Sequence, residues 1–439
     1  MHQERLAILA AGGPAPGINS VISAATIRAQ LEKMEVLGIH DGFEWIMRGD
    51  IEHVTPLTIP VVSRLHFRGG SYLGISRANP TLHDEHLENT VVALQRLGAT
   101  QLITIGGDDT AYSAYKLVQR SEGRLRVVHV PKTIDNDLDL PPYVDTFGFQ
   151  TARHHGVEIL KNLMVDAKTT SRWYFVTAMG RKAGHLALGI GKSAGATLTL
   201  IPEEFAGRRI RLQMLVDILA GAIIKRRTIG RRDGVAVLAE GLILAIDPDD
   251  LQALEHAERD AHDNVRLAEI DLGAALKAAV TERLREFGIK MTIVAKNMGY
   301  ELRSADPIPM DIEYTRDLGF CAARYVHAGG SSTMISIQAG QFVPIPFEQL
   351  MDPETGRAKV RLVDVNSSRF RIAHRYMVRL RRDDFDDPGE LANLVATAGT
   401  TAETFRAEFE YVVEHEQPRL MLDLARGFVL DHKPAPVEG

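Results

Sequence analysis

Cysteine is almost absent from this 439-residue chain: Cys321 stands alone. One thiol excludes an intrachain disulfide and a thiolate metal cluster. No run reaches the ~18 apolar residues that a membrane-spanning helix needs. The stretch from Met1 to Ala11 lacks the apolar core and small-residue cleavage site of a secretory signal. A basic excess is missing too. The 51 Lys and Arg against 57 Asp and Glu leave a formal charge of −6, the wrong sign for a general nucleic-acid binder. There is no short-period repeat and no low-complexity block. These absences lead to the expectation of a cytoplasmic protein with no nucleic-acid partner and no membrane contact. A local anion site stays open, because anions answer to local fields and not to net charge.

What is present is ordinary globular material, 45% hydrophobic and 25% charged. The length suggests two to three domains. Short apolar runs alternate with amphipathic stretches. Leu6–Ala10, Gln101–Ile105, Arg126–Val130, Trp173–Ala178, Gly234–Ala239 and Met291–Ala295 read as buried strands. Helical patterns follow, one after Asn19 as the expected N-cap and one over Thr110 to Val118. This alternation implies an α/β protein with parallel sheets covered on both faces. In such sheets ligands bind outside the C-terminal strand ends. That is where this chain carries its unusual residues. Asp247 to Phe287 reads as a charged, packed surface helix with Leu272, Leu276, Val280, Leu284 and Phe287 on one stripe. The tail from Pro346 holds helical patterns over Pro388 to Val395 and Ala402 to His415, and a frayed end from Lys433.

Gly12-Gly13-Pro14-Ala15-Pro16-Gly17-Ile18-Asn19 offers close backbone approach and a helix N-terminus, which suits a phosphate; it also suits a bare strand-to-helix turn. Gly106-Gly107-Asp108-Asp109-Thr110 adds two carboxylates. These either complement the helix dipole or hold Mg²⁺ beside phosphate oxygens. Pro131-Lys132-Thr133-Ile134-Asp135-Asn136-Asp137 is the most specific. It combines a cation for phosphate, a hydroxyl for positioning and a carboxylate able to take a proton from an alcohol. Met179-Gly180-Arg181, Ala239-Glu240-Gly241, Gly299-Tyr300-Glu301-Leu302-Arg303 and Arg77 are further candidates. Taken singly, these fit structural roles at least as well. Arg172 lies at the other end of the strand before Arg181. His154-His155 lacks a partner at metal spacing, and no Gly-x-Ser-x-Gly elbow appears. The basic residues Lys225, Arg226, Arg227, Arg231 and Arg232 read as a solvated helix end and loop.

Taken together and in this order, the motifs from about Arg5 to Gly330 resemble those of the 6-phosphofructokinase family. The resemblance implies two Rossmann-like three-layer αβα domains with parallel-rich sheets and an active site in the cleft between them. It places the donor domain at 1–150, completed by part of 300–345, and the fructose 6-phosphate domain at 151–300 with a helical insertion at 247–287. Residues 346–439 form a C-terminal extension. Gly12, Gly13, Arg77, Gly107 and Lys132 would meet the donor phosphates, and Asp108 would bind the Mg²⁺ cofactor. Thr133, Ile134, Asp135 and Asp137 would line the sugar site, with Asp135 the base for the fructose 1-hydroxyl. Met179, Gly180, Arg181, Glu240, Tyr300 and Arg303 would hold fructose 6-phosphate. Arg172 would do so from a neighbouring subunit.

In the ATP-using members, a glycine usually follows Gly-Gly-Asp and another precedes Thr-Ile-Asp. Here Asp109 and Lys132 stand there. The pair resembles the pyrophosphate-using members: Asp109 fills the space of a nucleotide α-phosphate and repels it, and Lys132 serves the smaller donor. Catalysis would then rest on Asp135, Lys132, Asp109 and Arg181. The implied activity is a reversible glycolytic kinase reaction, a transferase using pyrophosphate, with a homodimer or homotetramer expected. Tyr300 replaces the histidine of the ATP-using bacterial members, and Val294 replaces an arginine supplied across their subunit interface. An ATP-dependent 6-phosphofructokinase and a non-catalytic sugar-phosphate-binding regulatory protein are the alternatives. Asp109 opposes the first; Asp108 and Asp135 together oppose the second.

Overall fold

The computed structural model describes residues 4–141, 144–254, 271–350, 359–414, 416, 420–423 and 427–430. The chain divides into two units. The first comprises Met1–His155 and Gly299–Arg361; the second comprises Gly156–Met298 and Leu362–Gly439.

In the first unit, the strand Arg5–Ala10 lies between Gln101–Gly106 and Glu35–Ile39, parallel to both. Arg126–Thr133 continues the sheet, parallel to Gln101–Gly106. Thr333–Met334 extends it in parallel, and Ile345–Pro346 and Val54–Pro56 close the two edges in antiparallel pairs. Strand alternation explains the layering. Leu6, Ile8 and Ala10 face one way, against helices Ile18–Leu31 and Pro309–His327. Ala7, Leu9 and Ala11 face the other, against helices Asp84–Arg96 and Asp108–Ser121. Each face has its own buried core, so the near-continuous apolar run is what a doubly covered parallel strand requires.

The second unit has a four-stranded parallel sheet in the order Ile293–Met298, Trp173–Ala178, Gly234–Ala239, Leu198–Leu200. Helices Leu212–Thr228 and Leu272–Glu286 pack on each other, and the latter lies against strands Ile293–Met298 and Trp173–Ala178. Leu272, Leu276, Val280 and Leu284 are its buried stripe, as the spacing anticipates. Much of the Asp247–Phe287 insertion, residues 255–270, lies outside the described residues, as does the tail from 431.

Several expectations shift. The strand sought at Met291–Ala295 runs from Ile293 to Met298, because full register with Trp173–Ala178 carries its polar end onward at the sheet edge. Asn19 is not an N-cap. The cap residue is Gly17, at φ 109, where an added Cβ would meet Thr315 at 2.7 Å. Asn19 sits inside the helix, and its side chain instead donates to the carbonyls of Arg68 and Gly69 and accepts from the Tyr72 amide. The described residues after Pro346 divide between the two units. Phe347 and Leu350 bury in the first unit, while Phe370, Phe385, Phe405 and Phe409 bury in the second, so each stretch follows its apolar contacts. Among the described residues, no helix is long and apolar enough to cross a membrane.

Candidate active site

In the first unit three parallel strands lie side by side and release their loops at one edge. Arg5–Ala10 leads to Gly12-Gly13, Gln101–Gly106 to Gly107-Asp108, and Arg126–Thr133 to Asp135-Asn136-Asp137. Adjacent strand ends thus bring together residues about 120 positions apart. The Lys132 ammonium is buried and donates to the Gly13 carbonyl. A Cβ on Gly12, at φ 88, would lie 3.5 Å from that ammonium and 3.8 Å from the Thr110 hydroxyl. There is room for a Cβ at that distance; it is the positive φ that calls for glycine here.

Asp108 opens helix Asp108–Ser121, half-buried, with exposed Asp109 beside it. No side chain caps this helix, whose N-cap is Gly107. The positive end of its dipole therefore lies at the strand edge where these loops meet. The Gly12 amide donates to the Ser76 carbonyl at 2.8 Å, which sets exposed Arg77 next to the glycine turn. Among the described residues, no group of three His, Cys, Asp or Glu is arranged to hold a metal ion. A cation at Asp108 would take its remaining ligands from phosphate oxygens and water, the habit of Mg²⁺.

Asp135 is 7% exposed, and its amide donates to the Thr133 hydroxyl at 3.0 Å. Ile134 is buried beside it and Asp137 half-buried. Arg303, sought for the acceptor, lies in the first unit. A Cβ on Gly13 would be 3.6 Å from its guanidinium, which also stacks over the Tyr300 ring at 4.6 Å. Tyr300 itself is exposed.

The other acceptor candidates belong to the second unit. Trp173–Ala178 ends at Met179-Gly180-Arg181, and its neighbour Gly234–Ala239 ends at Glu240. Arg181 is exposed, at φ 49, and its amide donates to the Glu240 carboxylate at 2.7 Å. A Cβ on Gly180 would meet the Ala183 carbonyl at 2.7 Å, so the turn closes tightly around a glycine. Arg172 lies at the opposite end of the same six-residue strand, 3.9 Å from Asp166. About 20 Å of strand separates it from Arg181. The two cannot share a site within one chain.

Sequence reading missed several supporting groups. His129 lies fully buried under the Gly106 turn. Its Nε2–H donates to the Gly106 carbonyl at 3.1 Å and its Nδ1 accepts from the Thr104 hydroxyl at 2.9 Å. Burial, with the Lys132 cation adding to it, pushes its pKa down to about 3. The available signal was a histidine inside an otherwise apolar strand. Glu203 accepts from the Gly184 amide at 2.8 Å and so braces the turn that follows Arg181. Asp311 accepts from the amides of Gly148 and Thr151 at 3.1 and 2.7 Å, fixing the start of helix Phe149–Thr170.

The His129 geometry has a stability consequence. Its folded pKa lies below the ordinary 6.5, so the unfolded chain binds the proton first as pH falls. Stability should drop between pH 6.5 and about 3, by about 1.4 kcal/mol per unit at most from this group. Urea midpoints of the wild type should therefore fall more steeply over that range than those of His129→Gln. Parallel curves would contradict the buried neutral ring.

The phosphofructokinase family matches residues 5–326. The chain belongs to this family. A Thermotoga maritima protein named pyrophosphate–fructose 6-phosphate 1-phosphotransferase is 50% identical over 416 residues, covering 94% of this chain and 99% of the relative. A Naegleria fowleri protein of the same name is 46% identical over 418 residues, covering 93% and 96%. Among solved structures, a pyrophosphate-dependent phosphofructokinase from Nitrosospira multiformis matches at TM-score 0.64 and 17% identity, covering 83% of this chain and 88% of that one. That likeness shows the phosphofructokinase fold.

Proposed function

We propose that this family member transfers a phosphoryl group from pyrophosphate to the 1-hydroxyl of fructose 6-phosphate, reversibly, giving fructose 1,6-bisphosphate and phosphate. The observation that carries the reading is the buried Lys132 ammonium on the Gly12-Gly13 turn, one strand end from Asp108 and three residues from Asp135. The two relatives of the same name, similar over nearly the whole chain, support the choice of donor.

In this reading pyrophosphate lies on Gly12, Gly13 and Gly107, with Arg77 beside it. Its charge meets Lys132 and the positive end of helix Asp108–Ser121. Asp108 holds Mg²⁺, which when bound neutralises charge on the pyrophosphate oxygens. Thr133, Ile134 and Asp137 shape the sugar site around Asp135. Met179, Gly180, Arg181, Glu240, Tyr300 and Arg303 bind fructose 6-phosphate, Tyr300 and Arg303 on its phosphate and Glu240 on its hydroxyls. The Asp135 carboxylate takes the proton of the 1-hydroxyl as the oxygen attacks phosphorus. The P–O–P bond breaks and phosphate leaves with its electron pair. Lys132 and Arg181 meet the charge that spreads over the transferring group, and positioning supplies most of the rate. Asp109 keeps a nucleotide out by bulk and charge.

Arg172 serves a second copy of the chain, making the working form a homodimer or homotetramer. Sedimentation of the purified protein would read that state.

The test is the back reaction. Fructose 1,6-bisphosphate, inorganic phosphate and Mg²⁺ should yield pyrophosphate and fructose 6-phosphate. Absence of pyrophosphate under conditions where the forward reaction runs would sink the reversible reading.

A further inference from the structure

Asp135 and Asp137 flank Asn136, whose backbone is left-handed at φ 56. Asparagine tolerates that conformation better than most residues, but it still needs support. The support comes from far along the chain. The Arg361 guanidinium donates through Nε to the Asn136 carbonyl at 3.2 Å, through Nη1 to the Val144 carbonyl at 2.8 Å, and through Nη2 to the Asn136 side-chain oxygen. Its backbone amide donates to the Asp137 carbonyl at 2.8 Å, and neighbouring Val360 pairs with Leu138 in an antiparallel bridge. The Asn136 amide group donates to Asp145 at 2.8 Å and its oxygen accepts from the Thr146 amide at 3.0 Å. Thr146 in turn donates to the Thr133 carbonyl at 2.7 Å. One planar, five-donor head thus ties Asn136 to Val144. Burial opposes the charge on Arg361, and the carboxylates of Asp145, Asp139 and Asp137 facing it favour that charge.

We propose that Arg361 is a positioning residue for phosphoryl transfer. It touches no reacting atom; it fixes the strained Asn136 backbone and thereby the direction in which the Asp135 carboxylate points. This rests on the reading of Asp135 as the base. Arg361 lies beyond the family match at residues 5–326, so this gives part of the tail a catalytic task. A lysine could not substitute fully, because a single ammonium lacks the fork that spans several acceptors.

The test uses the full chain as wild type, Arg361→Met and Arg361→Lys. Two readouts are taken: steady-state kinetics with pyrophosphate, fructose 6-phosphate and Mg²⁺, and amide hydrogen exchange over residues 133–146. In Arg361→Met, kcat should fall about 10–100-fold, the size expected when a reacting group is misplaced by about an ångström. The KM for pyrophosphate should stay within about twofold, because the loop that Arg361 holds carries the groups assigned to the sugar and not the glycine turns assigned to the donor. Exchange at Thr146 and around Asn136 should speed up by about tenfold or more. Arg361→Lys should fall between. If Arg361→Met does not fold, the lysine variant carries the test with the same two readouts. Unchanged kcat, or unchanged exchange in a folded variant, would overturn the proposal. A wild type inactive with pyrophosphate but with exchange that depends on Arg361 would refute the proposed reaction and leave the loop-holding role standing.

Discussion

Replacing Asp135 by serine should lower kcat by about 10²–10⁴, the usual contribution of a well-placed general base. The fold should survive, because serine keeps the backbone amide that Asp135 donates to the Thr133 hydroxyl. Serine also fits the volume left at a position that is 7% exposed. What it lacks is a group able to accept the hydroxyl proton near neutral pH. The loss should appear equally in the back reaction, since the protonated carboxylate must return its proton to the leaving sugar oxygen. KM values should move far less than kcat, as expected for an interaction made mainly in the transition state. Turnover within about tenfold of wild type, with an unchanged melting temperature, would remove Asp135 from the role of base.

The second large effect concerns the donor. Lys132→Gly should cost about 10²–10³ in kcat/KM for pyrophosphate, the scale seen when one preorganised donor to developing charge is deleted. The ammonium is buried against the Gly13 carbonyl, so solvent screens it weakly. Asp109→Gly acts oppositely. It removes an exposed carboxylate from the first turn of helix Asp108–Ser121, where it would face a nucleotide's negative charge. Combined, the two changes should raise turnover with ATP itself by about tenfold or more, on top of the loss with pyrophosphate that Lys132→Gly alone causes. A double variant that loses pyrophosphate turnover and gains none with ATP would show that exclusion of nucleotides lies elsewhere.

The α/β class and the loops that matter were legible because parallel strands covered on both faces must be apolar throughout. Leu6–Ala10, Gln101–Ile105 and Arg126–Val130 announce themselves, and the glycines and carboxylates after them mark the edge where they stop. Other features were hidden for physical reasons. Asn19 carries the chemistry of a cap, yet Gly17 takes the cap position because only a glycine fits against Thr315 there. Arg361 is 225 residues from Asn136 in sequence, and no spacing rule reaches that far. The tail divides between the two units because each of its aromatic clusters follows a different core, which composition does not reveal.

One measurement reaches the centre of this account most directly: purified protein with fructose 6-phosphate and Mg²⁺, given pyrophosphate or ATP at equal concentration. Fructose 1,6-bisphosphate formed from pyrophosphate and not from ATP is the expected result. Product from ATP alone would leave the chain in its family and contradict the role given to Asp109 and Lys132; product from neither would contradict the proposed reaction itself.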